Sequence, residues 1–487
     1  MSKSDSMSGD AMGSDPKGSD EMGDDPMGDA AMRNLRGLIV LFAHPMAELY
    51  GSDRVLLESV RSVLDAGGRA VVVLPEAGPL AEVLVDAGAS VRFCPTPVLR
   101  KTSLRPRGLL NLAAELLPDL RAARTIIRSV RPDVVYVNTV TIPLWIAAAR
   151  SLRVPVLNHI HEAEASVPKP IALALNLPLL FCSRLIANSR FSVGVLAKTF
   201  PRLATRTTVV LNGVAGPQLP PLARENLGGG LRVVYVGRLS ERKGPLVAVD
   251  ALGLLSARGV AATLDLVGGA IPGRHDYENA LHEHVHAAGI TDRVWFYGFD
   301  ADIWHHLERA DVVVVPSLYN EPFGNTAVEA LLAARPVIVS DTSGLREATE
   351  GYRSALRVTP GDPGALADAL EALIPVWPVA RMDACSDRRL ASQRHSPEAY
   401  RRTIAGVLFE LATPARHAAA RHPHLATVSA AAQPVTPEVT AAGHPHTAAA
   451  AAAHVAKPTH VESPTAAHSR VERSTTQGSP PWTHTTT

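Results

Sequence analysis

Apolar runs of three to six residues, most of them rich in valine, recur through residues 38–340 with helical stretches between them. In the first half they are Leu38–Ala43, Val71–Leu74, Val91–Cys94, Val134–Val137 and Val154–Asn158. In the second they are Val233–Val236, Leu264–Val267, Val294–Tyr297, Val312–Val315 and Val337–Val339. Runs this short, with little polar alternation, predict parallel strands covered on both faces. The stretches between them, among them Arg54–Gly68, Leu80–Ala87, Pro245–Ala257, Ala327–Ala334 and Ala365–Leu373, predict helices, the first of which ends in a glycine stop. Strand-helix alternation that runs twice predicts an α/β chain of two doubly wound, Rossmann-like parallel sheets, with binding loops at the strands' carboxyl ends.

The two series are separated by residues 215–230, AGPQLPPLARENLGGG, which read as a Pro/Gly-rich linker between a unit at 34–214 and another at 231–395. Residues 396–412 read as a final helix. Residues 1–33, repeating Met, Gly, Ser, Asp and Pro, and residues 413–487, rich in Ala, His, Thr and Pro, lack core-forming periodicity and are expected to be disordered. The second tail carries nine of the nineteen histidines, including His422/His424 and His444/His446. Their spacing is irregular, so a solvated biased segment is expected rather than a metal site.

Composition narrows the function classes. The formal net charge is +1, so nothing global favours nucleic acid. Cys94, Cys182 and Cys385 are far apart and form no framework, as in a reducing compartment. The chain shows no basic-then-apolar leader and no apolar run of about 18 residues, so a cytoplasmic protein without a membrane span is expected. Residues 100–131 are basic and amphipathic. A solvated helix face packed on the sheet is the favoured reading, and peripheral contact with an anionic membrane surface is the alternative. Ile171–Cys182 is apolar but short and broken by Pro178, as in a core or interface helix.

Candidate chemistry gathers on loops after strands. Glu321, Pro322, Phe323 and Gly324 precede a helix opening at Asn325 and Thr326, and Glu329 lies inside that helix. A helix start after a strand offers free N–H groups and partial positive charge, and Gly324 lets a phosphate approach. The turn GRLSERKG presents Arg238 and Lys243 and is neither a Walker A loop nor G-x-G-x-x-G. His159 and His161 end a strand, and alternation sends both to one face. His282, Glu283 and His286 satisfy H-E-x-x-H, yet no third ligand follows in the sequence, and a solvated helix is the favoured reading.

The string EPFGNTAVEA, with the strand before it and PVIVSD after it, closely resembles the signature of the retaining glycosyltransferases of the GT-B fold, the group 1 or family 4 type. Further landmarks follow the same order: IANS at 186–189, VVLNGV at 209–214, and the G-R-x-x-x-x-K-G turn. The resemblance covers about residues 36–412. It implies two Rossmann-like domains facing a cleft, with the helix at 396–412 crossing back to the first, and transfer of a sugar from a nucleotide-sugar donor to an acceptor hydroxyl with retention, with no cofactor or metal. It assigns Glu329 to the donor ribose, Arg238 and Lys243 to the diphosphate, and Glu321 to the transferred sugar. The amides of Phe323, Gly324, Asn325 and Thr326 fall near sugar and phosphate. Gly51 marks the family's glycine turn, without its usual double glycine. The family places a histidine six residues after a proline opening the strand, which Pro155 and His161 match, so His161 is favoured over His159. The acceptor, whether a glycan, lipid-linked or a small molecule, is not named by the sequence. A nucleotide-sugar epimerase of the same fold and a non-catalytic nucleotide-sugar-binding protein remain open alternatives.

Overall fold

Valine-rich runs become strands because β-branched side chains pack well on a pleat whose two faces are both covered. The computed structural model describes residues 35–99, 106–163, 167–270 and 275–420, without the side chains of 106–115 and 414–420. The expected tail at 1–33, the histidine-rich segment from 421 onward and part of the basic stretch lie outside the described residues.

The first half runs β1 (Ile39–Ala43), α1 (Gly51–Asp65), β2 (Arg69–Leu74), α2 (Pro79–Asp86), β3 (Ser90–Phe93), α3 (Pro106–Val130), β4 (Val134–Val137), α4 (Pro143–Ser151), β5 (Val156–Ile160), α5 (Lys169–Asn176), β6 (Arg184–Ala187), α6 (Arg190–Ala197), α7 (Pro201–Ala204) and β7 (Thr207–Val209). Its strands form one parallel sheet in the order β3-β2-β1-β4-β5-β6-β7, with Val40 opposite Val134 and Leu41 opposite Val71. The second half runs β8 (Leu231–Val236), α8 (Pro245–Ala257), β9 (Ala262–Val267), α9 (Asp276–Ala287), β10 (Val294–Gly298), α10 (Trp304–Arg309), β11 (Val312–Val315), α11 (Asn325–Leu332), β12 (Val337–Ser340), α12 (Ser343–Ala348), β13 (Ala355–Val358), α13 (Pro363–Leu373), α14 (Trp377–Arg394) and α15 (Pro397–Ala420). Its sheet has the order β10-β9-β8-β11-β12-β13, again parallel. Each sheet is packed by apolar side chains on both faces.

Besides α4, α6, α7, α10, β6, β7 and β13, which have no counterpart in the sequence reading, three elements depart from it. β5 begins at Val156 rather than Val154, because the Val154 amide closes the end of α4 on the Ala149 carbonyl (3.0 Å). The strand therefore carries His159 and Ile160 in place of a loop. α14 has no counterpart in that reading: its buried side chains, Trp377, Ala380, Ala384, Asp387 and Ala391, are mostly small and give a weak apolar stripe. α15 continues beyond Leu411 to Ala420, so residues 413–420 of the expected tail are helical, in keeping with their alanine content.

Between β7 and β8 the chain has no helix or strand. Arg224 pins it to Asp311 at two points, Nε–Oδ1 2.7 Å and Nη2–Oδ2 2.6 Å. α15 leaves the second half and buries Tyr400, Ile404, Leu408 and Ala412 in the core of the first, beside Val55, Val60 and Leu157. The Tyr400 hydroxyl meets Ser59 Oγ at 2.7 Å. A chain trimmed to residues 34–412 is expected to keep its thermal transition, because among the described side chains of α15 the last in the core is Ala412. Ending the chain at 396 should instead destabilise the first half by several kcal/mol, at about 2–5 kcal/mol per large apolar side chain removed. Thermal melts of the two trimmed chains check this.

No helix among the described residues is long and apolar enough to cross a membrane. α3 packs Ala123 and Ile127 into the first core and leaves Leu116 and Leu117 exposed. The stretch expected as a core or interface helix is α5 followed by a 3-10 turn, Leu177–Phe181. It buries Leu175 and Leu179 and exposes Leu173, Leu180 and Phe181.

Candidate active site

The strand order reverses between β1 and β4 in one sheet and between β8 and β11 in the other, and ligands bind outside the carboxyl ends of strands at such points. Residues leaving β1 (Met46, Leu49, Tyr50, Gly51), β5 (His161, Glu162, Ala163), β8 (Gly237, Arg238) and β11 (Tyr319, Asn320, Glu321) line one cleft of about 880 Å³. The residues singled out from the sequence meet there: Gly51, His161, Arg238, Lys243, Glu321, Phe323, Gly324, Asn325, Thr326 and Glu329 all line it. His159 does not. It is fully buried in β5, bonds Tyr136 through Nδ1 (2.7 Å) and lies against the His161 ring, centroids 3.8 Å apart.

Two glycines shape the cleft wall around Glu321. Gly244 has φ 66°, and a Cβ there would meet the Pro316 carbonyl oxygen at 2.1 Å, so the Arg238–Lys243 turn can lie directly against the loop after β11. Gly324 has φ 143° and caps α11 without any side-chain cap. Among the described residues the amides of Gly324, Asn325 and Thr326 have no protein acceptor, so the positive end of α11 opens on the cleft.

Electrostatics separates the two glutamates. Glu321 is held by Lys243 Nζ (2.9 Å), by Ser317 Oγ (2.9 Å) and more loosely by Arg242 (3.5 Å). Burial pushes its carboxyl up, but Lys243 and Arg242, with these hydrogen bonds, bring it below the ordinary value. Glu329 has only Arg54 at 3.4 Å, and burial raises its carboxyl more than Arg54 and Lys243 lower it. Arg238 lies over the Tyr50 ring, 4.2 Å from its centroid, with Glu48 at 3.5 Å. His161 is pushed down to about 3, by burial first and then by His44, and is neutral near pH 7.

Glu162, Arg242 and Asn212, in or behind the cleft, were not singled out from the sequence as site residues. Glu162 accepts hydrogen bonds from the Thr139 hydroxyl and from the amides of Val140 (3.2 Å) and His161 (3.1 Å), and burial raises its carboxyl. Its place next to His161 in HIHEA was the available signal. For Arg242 the signal was its place next to Lys243. Asn212 and Asn325 join the halves across the cleft (2.8 Å), and Asn325 Nδ2 donates to the Gly51 carbonyl (3.3 Å). Glu347 accepts the amides of Arg190 (2.9 Å) and Phe191 (3.1 Å) at the start of α6.

At the cleft margin Asp300 Oδ2 lies 3.3 Å from His306 Nε2 and 3.6 Å from His305 Nε2, a ligand set of the kind that holds a transition metal. In the H-E-x-x-H helix, His282 stacks on Phe296 (3.7 Å) and His284 pairs with Asp250 (2.6 Å).

Two doubly wound parallel sheets with their switch points on one cleft define the GT-B architecture. Residues 224–381 match the family model for glycosyl transferases group 1, and residues 50–215 match that for Glycosyltransferase Family 4. The chain belongs to this glycosyltransferase family. It is 28% identical to glycogen synthase of Mycobacterium tuberculosis over 57% of this chain and 68% of that protein. It is 32% identical to D-inositol 3-phosphate glycosyltransferase of Salinispora arenicola over 46% of this chain and 53% of that protein. Among solved structures, HepE of Anabaena in complex with UDP-glucose is 26% identical, with a TM-score of 0.65, over 76% of this chain and 99% of that one.

Proposed function

We propose that this glycosyltransferase moves a hexosyl group from a nucleoside-diphosphate sugar to an acceptor hydroxyl with retention of configuration, and that it does so without a divalent metal. The observation that carries the reading is the set of groups around Glu321. A buried carboxylate sits between Lys243 and Arg242, next to a helix start with unpartnered amides. A diphosphate leaving group develops charge as the glycosidic bond breaks, and cations and helix-end amides fixed beforehand stabilise it more in the transition state than in the ground state. In this reading Arg238 and Lys243 take the diphosphate, the α11 amides take sugar and phosphate oxygens, Glu329 takes the ribose hydroxyls and Glu321 faces the transferred sugar. His161 meets a hydroxyl of the sugar or the acceptor. The complex of HepE with UDP-glucose supports a donor of this class.

The test is a panel of nucleotide-sugars offered to the purified protein in the presence of a chelator, with product anomers read by proton NMR. Turnover of one donor class with an unchanged anomer is expected. Loss of turnover on chelation, an inverted anomer or an epimerised donor formed without acceptor would each overturn the corresponding part.

A further inference from the structure

Behind the cleft wall, four side chains form a single hydrogen-bonded line from the start of α1 to His161. Asp53, His44 and Asn138 are buried to 1% exposure or less. Asp53 Oδ2 accepts the Tyr50 amide (2.8 Å), while Oδ1 faces His44 Nε2 (2.8 Å) and also accepts from Ser52 Oγ (3.1 Å). His44 Nδ1 faces Asn138 Nδ2 (3.1 Å), and Asn138 Oδ1 faces His161 Nε2 (2.9 Å). Each contact fixes the direction of the next. A carboxylate can only accept, so His44 keeps its proton on Nε2 and offers a lone pair at Nδ1. The Asn138 amide donates into that lone pair, which turns its oxygen toward His161. His161 must then donate from Nε2, and its other nitrogen, Nδ1, is left without a proton. Among the described residues no protein donor reaches Nδ1, and His161 lines the cleft.

We infer that Asp53, His44 and Asn138 are positioning residues that hold His161 as the Nε2–H tautomer, so that it receives a hydrogen bond from a substrate hydroxyl through Nδ1. The inference rests on the glycosyl-transfer reading only for the identity of that hydroxyl. The tautomer itself is a property of the free protein. Asp53 would cap α1 through Oδ2 alone; the second oxygen, aimed at a buried imidazole, is what makes it more than a cap.

Asp53→Asn reverses the line without breaking it. The capping amide of Tyr50 keeps the oxygen of the substituted side chain, so the new NH₂ group donates to His44 Nε2. His44 then donates from Nδ1, Asn138 turns over, and His161 becomes the Nδ1–H tautomer, presenting a donor where it had an acceptor. Nitrogen NMR of histidine-labelled full-length protein is expected to show the His161 ring nitrogens exchanging their protonated and unprotonated signatures, with the thermal transition little changed. Turnover of the intact enzyme should fall by about 10- to 100-fold, the value of one well-placed hydrogen bond in the transition state. In a His161→Ala background the same change should cost nothing further, because the line acts only through that ring. Should Asp53→Asn fail to fold, Asn138→Leu removes the acceptor while sparing the cap and should give mixed His161 tautomers, and Asn138→Asp should restore the wild-type one. An unchanged tautomer in Asp53→Asn, or a reversed tautomer with full turnover, overturns the inference. A wild-type protein with the expected tautomer but no glycosyl transfer to any acceptor sinks the functional reading and leaves the positioning line standing.

Discussion

Glu321→Gln is expected to cut turnover by about 10²-fold or more while donor affinity stays within a few-fold, and Glu329→Gln is expected to show the opposite bias. The two carboxylates stand on one loop-and-helix unit, yet their surroundings differ. Glu321 is kept ionised by Lys243 and Arg242. In our reading it faces the sugar whose anomeric carbon gains positive charge, an interaction that grows toward the transition state. The glutamine is nearly isosteric and still accepts from Ser317, so the change removes charge with little disturbance of shape. Glu329, raised by burial, is suited to a ribose contact that is alike in ground and transition states, and its loss falls on binding. Calorimetric donor dissociation constants beside turnover at saturating donor separate the two. Equal effects in both variants would mean that the roles are assigned wrongly.

Lys243→Ala and Arg238→Ala should each weaken donor use by about 10- to 100-fold, as expected for a charge-assisted contact of about 1.5–3 kcal/mol. The two variants should differ in pH dependence. Lys243 is the largest influence that lowers the Glu321 carboxyl, which burial alone would raise. Without Lys243 the carboxyl titrates at higher pH, so the acidic limb of the kcat/KM profile should move upward. Arg238, whose partners are Glu48 and the Tyr50 ring, should leave that limb in place. Identical profiles for the two variants would remove Lys243 from the neighbourhood of the reacting carboxylate, and undiminished diphosphate affinity in both would remove the pair from the diphosphate.

Much of this arrangement was legible before any coordinates. Val134–Val137, Val312–Val315 and Pro245–Ala257 have the bounds that their composition predicts, because a valine-rich run that follows Pro132, one closed by Pro316 and a helix opened by Pro245 leave little freedom. The cleft residues from Glu321 to Glu329 were legible because one short string carries them. What was not legible depends on chain segments far apart in sequence. Asn212 meets Asn325 across 113 residues, and Arg54 meets Glu329 across 275. No local pattern marks His44, Asp53 or Asn138 as a line, since the pairing of β1 with β4 sets His44 beside Asn138 and α1 carries Asp53 to His44. Alternation sends His159 and His161 to one face, and only the structure shows that His159 is buried on Tyr136 while His161 reaches the cleft.

The position of α15 has a consequence for how the protein is made. The helix completes the core of the first half, but it is synthesised after the whole of the second. Roughly 190 residues separate the last strand of the first sheet from Ile404, which at about 5–20 residues per second is a delay of about 10–40 s on the ribosome. Throughout that interval the faces of Val55, Val60 and Leu157 that receive Ile404 and Leu408 stay uncovered, while the second sheet can close on itself. Nascent chains of this protein therefore finish their second half first and carry an apolar groove on the first. A chaperone that shields that groove should raise the yield of folded enzyme, and slower translation, which lengthens its exposure, should lower it.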